Sequence, residues 1–157
     1  APAAPTDPPG PTDARADDVP APALDQPDDA LDQPDDTVDL PDDTIARLLH
    51  ALSHPEVREA CLALCLTARA APAERLWARL TRAAPTQVRA HPAALLATCA
   101  YLRGEGALAG VAADIALAAT PDHRLAQIVR DVMDHGLPPH RFRAMLAESF
   151  VTAFTNT

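Results

Sequence analysis

From Thr44 onward apolar residues recur at spacings of three and four, and prolines punctuate these periodic stretches, a pattern that predicts helices. Ile45, Leu48, Leu49 and Leu52 mark one face of a short first helix, with Asp42-Asp43-Thr44 placed to cap it. Ser53 and Glu56 stand at the S-x-x-E spacing of a capping box, and with Pro55 in the first turn they predict a second helix over 54–70. Its stripe is Val57, Cys61, Leu64, Cys65 and Ala68. Pro72 opens a third helix in which Leu76, Trp77, Leu80 and Ala84 face inward, while Arg75, Arg79 and Arg82 gather on the other side at i, i+4 and i+7.

Pro85 closes that helix, and Pro92 opens a fourth that runs to Arg103 with Leu95, Leu96, Cys99 and Leu102 as its apolar set. After the Gly104-Glu105-Gly106 turn, the stretch 107–119 is almost entirely alanine and glycine; small residues let helix axes approach closely, so this helix is expected between two neighbours. A sixth helix from Asp122 to His135 carries Leu125, Ile128, Val129, Val132 and Met133, Gly136 supplies its C-terminal cap, and Pro138-Pro139 start a seventh. In the seventh, Phe142, Leu146, Phe150 and Phe154 recur every four residues beside Met145. They read as core if the helix packs on the domain, and as a helix-in-groove ligand or dimer face if it projects. No stretch reads as a strand. The expected fold is all-α, six or seven helices in antiparallel pairs over 44–157.

The first 43 residues follow a different rule. LDQPDDA, LDQPDDT and VDLPDDT run consecutively from Leu24 to Thr44, and a proline at the fourth place of each unit forbids a helix or coiled coil. Ten of the 17 prolines and 13 of the 22 acidic residues fall before Thr44, against one Arg, so this segment carries −12 while the rest carries +3. Low hydrophobicity with dense like charge predicts a disordered acidic tail. It reads first as a solvated spacer, second as a charged arm recognised by a basic partner or folding back on its own domain, and last as a metal binder. The paired aspartates lack the alternation, the Gly and the closing Glu of an EF-hand.

The net charge of −9 makes the whole chain a poor general nucleic-acid binder, although the mildly basic helical part alone does not carry that penalty. No apolar run approaches a membrane span, no secretory pattern opens the chain, and a cytoplasmic setting is expected. Three cysteines without a signal predict reduced thiols, and the i, i+4 spacing of Cys61 and Cys65 forbids a bond between those two.

Candidate chemistry is sparse. His50, His54, Cys61 and Cys65 have the composition of a zinc ligand set, but the cysteines lie on the inward stripe and the histidines straddle the Ser53 cap. The stripe Arg75, Arg79 and Arg82, with Arg69 and Arg89 near its ends, reads as a solvated face, as a dock for an acidic segment including the chain's own repeats, or as a phosphate grip. No nucleophile elbow, Walker loop or H-E-x-x-H is present, and His123, His135 and His140 fall at helix boundaries.

Residues 94–123 resemble a tetratricopeptide repeat counted back from Pro121: Ala97, Ala109 and Ala116 fall at its small positions and Gly104 in its turn, while Ala93, Ala100 and Ala113 stand where bulkier side chains are usual. HPEVREA (54–60), Leu76-Trp77, the run from Leu95 to Val129 with Arg103 to Ala126 as its specific part, and HGLPP (135–139) resemble the C-terminal half of the actinobacterial domain-of-unknown-function family 4192. That resemblance implies no activity and no cofactor. It also implies a further N-terminal half, in whose place this chain carries the Pro-Asp repeats.

The residues together point to a non-enzymatic protein–protein interaction module with an unknown protein partner. Arg75, Arg79, Arg82, Phe142, Leu146 and Phe150 are its candidate contacts. The alternatives are a metal-dependent or enzymatic protein using the His/Cys set, and nucleic-acid binding by the helical part.

Overall fold

The computed structural model describes residues 39–155, with side chains to Val151. Of the tail expected over 1–43, residues 1–38 lie outside the described residues, and so does the Phe154 side chain. Seven helices follow: α1 (Asp42–Ala51), α2 (Pro55–Leu64), α3 (Ala70–Ala83), α4 (Thr86–Leu102), α5 (Gly106–Ala119), α6 (Arg124–Asp134) and α7 (Pro139–Thr155), with no strand among the described residues. The fold is all-α, as the periodicity predicts.

The links explain where the helices stop. Asp42 and Asp43 enter the first turn of α1, where they face the positive end of the helix dipole, and Asp43 pairs with Arg47 at 3.0 Å. Ser53 does not cap α2 as the capping-box spacing suggests. Its hydroxyl donates back to the His50 carbonyl at 2.6 Å, so it finishes α1, and His54 is the N-cap of α2 without a side-chain bond. α2 ends at Leu64 instead of reaching 70, because the Thr67 hydroxyl takes the Leu64 carbonyl at 2.9 Å and then accepts the Arg69 amide at 3.1 Å. Nor does Pro92 open a helix. α4 begins at Thr86, and Pro92 lies buried inside it, so the Val88 carbonyl has no i+4 amide. Continuous burial around Pro92 and on to Leu102 outweighs that missing bond. Gly104, at φ 86°, adopts the left-handed turn that lets the Glu105 amide reach the Ala100 carbonyl at 2.9 Å, and Gly136 (φ 62°) ends α6 in the same way.

α4 is the centre. It packs on α3 and α5 along most of its length and also touches α2, α6 and α7. α5 lies between α4 and α6 as its small residues predict: Ala109, Ala112, Ala113 and Ala116 are buried, and a Cβ on Gly110 would meet Met133 of α6 at 3.5 Å. Trp77, Leu80, Leu95, Leu96, Leu102, Val129 and Phe142 complete the core.

The expectation of three reduced thiols is corrected. Cys65, just past the end of α2, is bonded to Cys99 in the last turn of α4, with Cα atoms 5.1 Å apart and both residues fully buried. The two are 34 positions apart and meet only because α2 crosses α4 at that level. Cys61 remains a free thiol, and burial pushes its pKa up, which disfavours the reactive thiolate.

Candidate partner-binding groove

α3 exposes the edge opposite its Trp77–Leu80 stripe, and between that edge and α5 a groove opens over α4. Ala78, Leu96, Val111, Ala112 and Ile115 form its apolar lining, and Arg82 and Arg89 border it, around a volume of about 240 Å³. Thr81 also lines it, but its hydroxyl is already satisfied by the Trp77 carbonyl at 2.7 Å. The Arg89 guanidinium donates through Nε and Nη2 to the Ala84 carbonyl at 3.0 and 2.8 Å, which ties it to the end of α3 and holds its charge at the groove. Arg79 and Arg75 lie one and two turns before Arg82 on the same edge of α3. Of the three stripe arginines Arg82 reaches the groove, while Arg75 and Arg79 continue away from it along the outer face of α3.

A second hollow of about 610 Å³ separates α1 from the α3–α4 junction and is lined by Asp42, Ile45, Leu49, Ala83, Pro85 and Val88 among others. It sets the start of α1 beside the end of α3 where Arg82 stands. Leu40, just before α1, packs against the core cluster.

The aromatic stripe of α7 divides. Phe142 is 1% exposed and meets Tyr101 of α4 edge-on with ring centroids 6.0 Å apart, so it belongs to the core and is not an accessible contact. Leu146 packs half-buried against the same cluster, and Phe150 is half-buried. Arg143 reinforces this docking through bonds to the Leu66 and Leu102 carbonyls. Exposure on α7 falls instead to Met145 and Val151.

The proposed zinc ligands do not assemble, since Cys65 is committed to Cys99. His50 and His54 stand edge-to-face at 5.6 Å between centroids. A different pair, His91 of α4 and His123 before α6, brings Nδ1 and Nε2 to 3.1 Å. Because His123 Nδ1 accepts the Ala126 amide as the N-cap of α6, its proton sits on Nε2 and points at His91 Nδ1. Burial pushes both rings below the usual histidine pKa, and the Arg58 guanidinium pushes the same way. At the far end of α3, Glu74 pairs with Arg103, and burial raises its carboxyl pKa against the pull of that guanidinium.

The sequence marks the arginine stripe that brings Arg82 to the groove, but not the opposite side of the groove. Val111 and Ile115 lie far along the chain from Arg82, and nothing local marks them as facing it. His91 escaped notice for the same reason.

No curated protein and no solved structure matches the chain. A family model does, over residues 2–140, from within the acidic segment to the first turn of α7, a wider reach at the N-terminal side than the resemblance read from the helical part alone. With most of the chain matched, this protein belongs to the family described as Domain of unknown function (DUF4192).

Proposed function

We propose that this protein is a protein–protein interaction module and that the groove between α3 and α5 receives an acidic partner segment punctuated by apolar residues. The observation that carries this reading is the pairing of an apolar floor (Leu96, Val111, Ile115) with guanidinium groups on its border (Arg82, Arg89). Guanidinium forks recognise carboxylates bidentately, and an apolar floor adds desolvated area that charge alone does not supply. The stacked helix pairs act as a rigid support of the kind helical repeats provide, with the tetratricopeptide likeness of α4 and α5 as the basis for that comparison. A cytoplasmic setting goes with this reading, although the Cys65–Cys99 bond pulls the other way, since cytosolic thiols are ordinarily kept reduced.

The test is a titration of a labelled Leu/Asp peptide, against a control with Asn in place of Asp, into the natural chain and into a chain with Asp28, Asp29, Asp35 and Asp36 changed to Asn. Saturable, salt-sensitive binding of the acidic peptide is expected in at least one of these proteins, weakened about tenfold or more by Arg82→Glu. No binding to either protein, or binding indifferent to Arg82→Glu, overturns the reading.

A further inference from the structure

The third acidic repeat, VDLPDDT, is partly visible. Its Leu40 packs on the core, its Asp42 and Asp43 form the first turn of α1, and Asp42 lines the hollow it shares with Ala83 and Pro85. The described chain therefore begins, at Asp39, close to the start of α1, which the hollow sets beside the C-terminal end of α3 where Arg82 stands. From there the second repeat, Leu31–Thr37, is the next segment in line. Seven extended residues span about 22 Å, and α3, at 14 residues, is about 21 Å long. The unit supplies Leu31 for an apolar floor and Asp32, Asp35 and Asp36 for guanidinium groups. Its proline favours the extended form, which lowers the ordering cost of lying in a groove.

We propose that the acidic repeat Leu31–Thr37 occupies the α3–α5 groove in cis, its aspartates beside Arg82 and Arg89 at the groove's border, and that it competes there with the partner segment. The proposal rests on the groove being a binding site for acidic segments. Opposite charge on the two parts of one chain, −12 before Thr44 and +3 after it, favours the contact at low ionic strength. A short tether raises the repeat's effective concentration to the order of 1 mM, so a segment with an intrinsic Kd of about 0.1 mM lowers a competitor's affinity about tenfold.

The test compares the natural chain with the Asp28→Asn, Asp29→Asn, Asp35→Asn, Asp36→Asn chain, both pairs being neutralised so that the first repeat cannot replace the second. Neutralisation is expected to tighten binding of the labelled Leu/Asp peptide about tenfold in low salt, with the gain shrinking as salt rises. It is also expected to shift the methyl resonances of Val111, Ile115 and Leu96 while leaving those of Val57 and Leu62 in place. Equal affinity in the two proteins, with groove methyls unmoved, overturns the in cis contact while leaving the groove's binding of acidic segments intact. Absence of peptide binding to either protein, with the same methyls unmoved, overturns both.

Discussion

Helices α2 and α4 are joined by a covalent bond and held in place by different means. Twelve of the 17 residues of α4 are buried, and it is packed from several sides by its neighbours. None of the ten residues of α2 is fully buried, and its packing is chiefly onto α4. The Cys65–Cys99 bond and the Arg58 bonds to the Leu52 and Ser53 carbonyls supply what apolar burial does not. A helix at the centre of a small domain is fixed by the sum of many contacts, whereas one at its edge depends on a few strong ones.

The largest effect should come from the centre. Leu95→Ala removes a side chain that is 1% exposed and leaves a cavity where the surrounding helices cannot collapse, which costs about 4 kcal/mol. A urea midpoint shifted by less than a quarter of that would show that α4 is not the hub. Next comes the bond itself. Reducing it releases a 34-residue separation and should cost about 3 kcal/mol, with amide protection lost first in α2 and retained in α4 and α5. Uniform loss of protection across all seven helices would break the contrast. Thiol counting gives a direct check, with one reactive cysteine (Cys61) in the unfolded, unreduced protein and three after reduction.

The smallest effect is that of acid. His91 and His123 have folded pKa values below their unfolded ones, so the unfolded chain takes up protons that the folded one resists. Stability from this pair is complete above about pH 6.5 and falls as the pH drops through that value toward the lowered folded ones. The groups facing the pair are Arg58, which adds to the depression, and Asp122, which opposes it at His123. A plot of melting temperature against pH should therefore slope downward from pH 7 to 5, and His91→Asn should flatten it. An unchanged slope in that variant would show that the acid sensitivity lies elsewhere.

Much of this architecture is legible in the amino-acid order. Trp77, Leu80 and Ala84 declare the inner side of α3 and the arginines its outer side. The alanine run of α5 announces a helix between neighbours, and Gly136 closes α6 where a left-handed residue is needed. The errors were local competitions decided by neighbours. Ser53 satisfies the carbonyl behind it instead of the amides ahead, and Pro92 is carried inside α4 because burial along the helix outweighs one lost hydrogen bond.

The sequence by itself determined the helical class, the position of most helices, the division into an acidic segment and a mildly basic helical part, and the arginine stripe on the outer face of α3. These follow from periodicity, proline placement and charge, all of which act over a few residues along the chain. Only the tertiary structure decided that Cys65 meets Cys99, that Phe142 is core and that Val111 and Ile115 face Arg82 to make a groove. Each of these depends on how helices distant in sequence cross, and the crossing is set by the summed shape of buried side chains, which no short stretch of sequence contains.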